Sequence, residues 1–411
     1  MVRSLRQDII SRVQNRFLMN ILFISENYYP QTSGVPVVVK YLAEGLYNRG
    51  HHVSVATQSH GNPNKNETIA GVSIYRFDIY KNIFKRPSGN TRSYIDFVKE
   101  YPADVVIIEC TQCVTTDLLL PYLKEIKGRK YFHVHGISGL TPGRRLFTFK
   151  SDLKHTIGNT YNWILGEYYF KYELKRAIPY FEATICLSEV DDGIDYLEKY
   201  SRYNYILENA ADDMFFDSNF CARNILEKYV QLENKKFMVS CANYSYIKNQ
   251  LGIIRQYYMS ESSKRMSLIC LGSQANDYYN KCLLLVKEME VKYGHRDVNL
   301  LCGVERIDIP AILNKAYLYL VGSFWEQYSI SIIEAMSQGI PFVSTNVGNT
   351  RLLPGGVVID SIDKMHDSID TFLFNEYRYK KLSDEGKKYA YNNCRISVAV
   401  DKLEKLICET L

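Results

Sequence analysis

The chain has 411 residues, 46% of them apolar and 23% charged, with a formal net charge of +5. That length exceeds what one hydrophobic core usually serves, so two domains of similar size are expected in an ordinary soluble globular protein. The charge is too modest for nucleic acid and no nucleic-acid motif accompanies it, while the lack of any apolar run of about eighteen residues argues against a membrane span.

Residues 1–18 set Arg3, Arg6, Arg12 and Arg16 against one acid, Asp8, with Ile9, Ile10, Val13 and Phe17 at roughly helical spacing. The stretch lacks a signal peptide's continuous apolar core. It reads either as an amphipathic helix for anionic lipid or, in the preferred reading, as a dispensable extension before a strand that begins just after Met19.

The run 20–25 is the first expected strand. Tyr28-Tyr-Pro-Gln-Thr-Ser-Gly-Val-Pro36 follows, then an amphipathic helix over 37–48 closed by Gly50. Strand, glycine loop and helix start make an anion cradle in which Gly34 lets the backbone approach a phosphate or an acceptor. The loop is not a G-x-G-x-x-G, which argues against a dinucleotide dehydrogenase. Apolar runs at 52–57, 72–77, 104–110, 130–135 and 183–188 alternate with helical segments, the pattern of a parallel sheet wrapped by helices. Lys130-Tyr-Phe-His-Val-His-Gly136 ends one of these strands, and alternation puts His133 and His135 on the same face. In open parallel sheets the ligand crevice lies at such strand ends, and His133 is expected to face the core.

Further on, Arg144 and Arg145 beside Leu146, Phe147 and Phe149 combine charge with apolar anchors suited to an anionic acceptor or lipid surface. Of the ten cysteines, Cys110, Cys186, Cys241, Cys270 and Cys302 lie in apolar strand-like runs, as reduced thiols do in cytosolic cores. Cys110 and Cys113 form a lone C-x-x-C without a second pair, and no metal site is assigned.

A polar stretch over 217–235 separates this half from a second set of apolar runs at 237–242, 267–271, 298–302, 316–321, 342–345 and 357–359. Lys248 lies just past the first of these, where a helix begins and a point charge can meet a diphosphate. Gly272 and Gly303 end the next two. The richest segment runs from Ser323 to Gly348: Glu326 closes a strand, a helix starts at Ser329, Gly339-Ile-Pro341 stops it, and a strand follows. The N–H groups of Ser329, Ile330 and Ser331 are expected to be unpaired and to favour an anion. Glu334, one to two turns into the helix, is placed to accept ribose hydroxyls.

This segment resembles the E-x7-E motif of the retaining glycosyltransferases of family 4, since both acids, Glu334-Ala-Met, Gly339-Ile-Pro and Val347-Gly348 stand in order. The resemblance implies an α/β GT-B fold of two doubly wound Rossmann-like domains facing a central cleft. Its expected parts are the extension 1–18, an acceptor-binding domain 19–216, a nucleotide-sugar-binding domain 236–376 and a helical segment 377–411 returning toward the first domain. It further implies a hexosyltransferase that moves a sugar from a UDP- or GDP-sugar to a glycan or lipid-linked acceptor with retention, without cofactor, metal or nucleic acid. Polysaccharide or cell-surface glycan synthesis in the cytoplasm, or peripherally at the inner face of the membrane, is the expected setting. Carried over residue by residue, His135, Lys248 and Glu326 are catalytic, Gly34, Asn243, Gly272, Gln327, Tyr328, Ser329, Ile330 and Glu334 hold the donor, and Arg144 and Arg145 meet the acceptor. The sequence departs from the family at Asn243, where an arginine is usual, and at Gln327 and Ser329, where glycines are usual. Diphosphate binding is therefore expected to lean on Lys248 with Arg306 or Arg351. The alternatives are a nucleotide-sugar epimerase and a non-catalytic partner protein that keeps the fold.

Overall fold

A computed structural model describes residues 18–31, 34–60, 66–137, 164–217, 228–229 and 236–409. The proposed extension apart from Leu18, Ser33 in the first loop, and Arg144 and Arg145 lie outside these residues.

The first half forms β1 (Asn20–Ile24), β2 (His52–Gln58), β3 (Glu67–Ile69), β4 (Val72–Phe77), β5 (Ile79–Lys81), β6 (Pro87–Gly89), β7 (Val105–Glu109), β8 (Arg129–His133), β9 (Ala183–Cys186) and β10 (Asn204–Ile206). Eight of them make one sheet in the order β10-β9-β8-β7-β1-β2-β4-β3, while β5 and β6 pair apart from it. The central strands are apolar throughout because helices cover both faces of a parallel sheet: Ile21 to Ile24 and Val105 to Glu109 are all buried. The register pairs Ile24 with both Ala56 and Ile108. The chain moves outward from β1 in both directions, so the strand order reverses between β1 and β7, which is where a doubly wound sheet opens a crevice. The helix Val35–Asn48 follows β1 with Pro36 in its first turn, where a missing N–H costs nothing.

The second half forms β11 (Phe237–Cys241), β12 (Ser267–Gly272), β13 (Val298–Cys302), β14 (Leu318–Val321), β15 (Phe342–Thr345) and β16 (Gly356–Ile359), all parallel, in the order β13-β12-β11-β14-β15-β16. Alternation along the strands builds two cores. Phe237, Val239, Ile269, Leu271, Tyr319, Val321 and Phe342 fill one face, and Met238, Leu268, Cys270, Leu318, Leu320 and Val343 the other. The order here reverses between β11 and β14.

The chain's contacts group it into two compact units. One holds the described residues up to Cys186, Asp195–Tyr205 and those from Leu403 onward; the other holds Leu187–Ile194 and Ile206–Lys402. Residues 206–216, expected in the first half, are thus counted with the second. Phe215 is buried in the second unit's core, and its carbonyl accepts from Ser337 Oγ at 2.8 Å. Glu404, in the first unit's closing segment, takes Arg49 at 2.5 Å and lies 3.2 Å from His51 Nε2, while Leu403 and Ile407 are buried. Cys302, expected in a core, is exposed because β13 is an edge strand.

Candidate active site

In the second unit the loops after β11 and β14 are tied together by backbone and by one asparagine. Asn249 adopts a left-handed conformation (φ 53°), caps the helix Gln250–Met259 through the Gly252 N–H, and donates its amide to the Gly322 carbonyl at 3.0 Å. The Phe324 N–H donates to the Ile247 carbonyl at 2.8 Å, and the Tyr246 and Phe324 rings pack with centroids 5.0 Å apart, tilted by 31°. These ties bring Lys248 and Glu326 into an ion pair, Nζ to Oε1 2.5 Å, to which Ser323 Oγ adds a hydrogen bond at 2.8 Å. The pair is partly buried, with the lysine side chain 31% and the glutamate 13% exposed.

Glu334 is buried inside the helix Ile330–Ser337 and is forked by Arg306, one of the two bonds measuring 3.1 Å. Arg306 also lies 4.6 Å above the Phe215 ring. Burial pushes the Glu334 carboxyl above its usual range against the pull of the arginine. Arg306 thus reaches the second acid of the motif, while Arg351 is exposed.

The helix start differs from expectation. Ser329 is the residue before the first helical turn, and its N–H, expected to be unpaired, is taken by Asn349 Oδ1 at 3.1 Å. Asn349 was missed by sequence reasoning, although it directly follows the Val347-Gly348 of the motif. Gly348 has φ 51°, and a Cβ there would stand 2.6 and 2.7 Å from the Gln327 and Glu326 carbonyl oxygens. The E-x7-E loop therefore rests on Gly348. The Tyr328 ring belongs to the core. Gln327 tempers the rise that burial gives the Asp191 carboxyl. A Cβ on Gly272 would meet the Tyr244 ring at 2.4 Å, and Tyr244 in turn bonds the Cys270 carbonyl, so packing alone already requires this glycine. Asn243 is exposed, and its carbonyl accepts from Gln250.

In the first unit the residues beyond β7 and β8 form a second cluster. His135 Nε2 lies 2.6 Å from Glu109 Oε2, and His133 Nδ1 lies 3.1 Å from the same oxygen, all three side chains being almost fully buried. Neither ring nitrogen of His133 makes an aligned hydrogen bond among the described residues. Burial works against a charged Glu109, but His133 and the bond from His135 outweigh it and hold the carboxyl at about 2. Burial and His133 push His135 down to about 4 against the pull of Glu109. The ligand-type atoms of these three residues lie within 4.8 Å of one another, yet the imidazole centroids stand only 3.8 Å apart. Two rings converging on one ion from about 2.0 Å, at tetrahedral angles, would be farther apart, so the arrangement fits a hydrogen-bonded cluster better than a metal site. Gly34 precedes its helix with φ 68°, and a Cβ there would meet nothing within 4 Å. Glu109 escaped sequence reasoning, although an acid in the last position of an apolar strand was the available signal.

Two doubly wound sheets, each carrying ionisable residues at its switch point, are the architecture of the GT-B fold. The model of the glycosyl transferases group 1 matches residues 222–389 and that of Glycosyltransferase Family 4 matches residues 32–191. The chain belongs to the group 1 glycosyltransferases. It is 22% identical over 370 residues to a component of the human phosphatidylinositol N-acetylglucosaminyltransferase, covering 86% of this chain and 68% of that protein. Sucrose-phosphate synthase from Thermosynechococcus elongatus shares the fold with a TM-score of 0.72 at 14% identity, covering 95% of this chain and 98% of that one. HepE from Anabaena, solved with UDP and glucose, does so at 0.68 and 15%, covering 95% and 100%.

Proposed function

We propose that the protein transfers a hexose from a nucleotide-diphosphate donor to a glycan or lipid-linked acceptor, with retention at the anomeric carbon. The observation that carries this reading is the Lys248–Glu326 pair at the switch point of the second unit. A cation held there by a carboxylate is ready to exchange that partner for a donor diphosphate and to stabilise the charge that grows as the sugar leaves. The Ile330 and Ser331 N–H groups add the positive end of a helix. HepE, solved with UDP and glucose, supports a uridine donor. The human relative's phosphatidylinositol substrate, stated in its name, supports a lipid-linked acceptor. Among the described residues no helix is long and apolar enough to cross a membrane. His135 is assigned to the sugar, Glu334 to the ribose once Arg306 yields, and Arg144 and Arg145 to the acceptor.

A panel of UDP- and GDP-sugars, each offered with and without mixed glycan and lipid-phosphate acceptors and read by mass spectrometry, tests the proposal. Sugar gained by an acceptor supports it. An epimerised donor without any acceptor would instead establish an epimerase, and failure to bind any nucleoside diphosphate would leave a non-catalytic partner protein.

A further inference from the structure

The cluster at the switch point of the first unit contains more than the histidine that the sequence singled out. Three non-glycine residues at its strand ends adopt left-handed backbone conformations, Cys110 at φ 65°, Gln112 at 57° and His135 at 50°, and Gly136 follows at 95°. Such conformations cost about 1 kcal/mol or more each and persist where the surroundings enforce them, commonly at functional sites. Part of the enforcement is visible, since the Cys110 N–H donates to the His133 carbonyl at 2.8 Å and locks the end of β7 to that of β8. The twist at His135 turns its ring back over His133 and onto Glu109, giving the 2.6 Å contact at Nε2.

We propose that Glu109 is a positioning residue for His135: its carboxylate accepts the Nε2 proton, fixes the ring, and leaves the Nδ1 lone pair as the nitrogen that receives a sugar hydroxyl. This rests on the proposed reading of His135 as a sugar-binding residue. The chemistry follows from which atoms can donate. An ionised carboxylate only accepts, so a neutral imidazole bonded to it at Nε2 carries its proton there. The protonation states of the pair agree, Glu109 lying far below neutrality and His135 below it. The other titratable groups near this strand end do not compete for the bond. Glu26 Oε1 is engaged by the Val114 N–H at 3.0 Å, and the Cys110 thiol is pushed up by the neighbouring Cys113 thiol and by burial, so it stays neutral. His133, beside the same oxygen, lacks the alignment to take the place of His135.

The direct test is a long-range proton–nitrogen correlation spectrum of the full chain with ring-labelled histidine at pH 7.5, the His135 signals being those lost in His135→Asn. The Nε2–H pattern is expected; an Nδ1–H or doubly protonated ring overturns the proposal without recourse to any Glu109 variant. Turnover of UDP-glucose, used as the probe donor, supplies the second readout. Glu109→Leu should lower kcat about 10- to 100-fold, the usual cost of losing an orienting partner, with the donor KM within about threefold and with partial rescue by Glu109→Gln, whose carbonyl still accepts. Wild-type turnover in the leucine variant, or a loss confined to KM, overturns the assignment. Should the wild type leave UDP-glucose untouched, the donor reading fails separately and the tautomer decides the role of Glu109.

Discussion

Lys248 and Glu334 show how the same residues can be legible in type and illegible in partnership. The lysine after the first strand of the second unit and the two acids eight positions apart were readable because strand, turn and helix signals fixed where each side chain emerges. Their partners were not readable. Arg306 reaches Glu334 from beyond β13, and Asn349 reaches Ser329 from beyond β15, and neither pairing leaves any trace in local spacing. Replacing Lys248 by alanine is expected to weaken nucleoside-diphosphate binding by about 1.5 to 3 kcal/mol, the worth of a charge-assisted hydrogen bond. Titration calorimetry with UDP and GDP checks this, and unchanged affinity removes Lys248 from the site. Glu334→Gln should chiefly raise the donor KM, whereas Glu326→Ala should lower kcat too because it also frees Lys248. Wild-type kinetics in both variants would remove the motif from catalysis.

Elements were easier to read than residues. Every long apolar run became a strand within a residue or two of its expected ends, since burial on both faces leaves little else for such runs to do. The strands that escaped, β3, β5, β6 and β10, are three residues each and partly polar, held by pairing with a neighbour rather than by their own pattern. At this scale Gly348 is the most exacting position. Its conformation and the two carbonyl oxygens under it exclude a side chain, so Gly348→Ala should push the loop bearing Glu326 away from Lys248. A stability loss of about 1 to 3 kcal/mol is expected from strained backbone, together with weaker nucleotide binding. Denaturant melts and calorimetry on the same sample test both, and intact binding would show that the loop does not depend on this support.

For the molecule as a whole, the buried cluster ties stability to acidity. His135 titrates near 4 in the folded chain against an ordinary 6.5, and Glu109 near 2 against 4.5. In both windows the unfolded chain binds more protons, so stability is fullest above about pH 6.5 and falls as the pH drops, first through the histidine and then through the carboxylate. Thermal melts from pH 8 to 4 should show a level region and then a decline, and His135→Asn should flatten the decline between 6.5 and 4. An equal slope in both proteins would mean other groups carry it.

The segment from Leu403, with Glu404 against Arg49 and His51, has a consequence for the order of events during synthesis. The strands that begin the first unit leave the ribosome early, yet the segment with the buried Leu403 and Ile407 follows the second unit in the chain. The unit begun first can therefore be completed only after translation has passed through the other, so its sheet, whose strands are all made once β10 has emerged, waits on the nascent chain for the segment that carries Glu404.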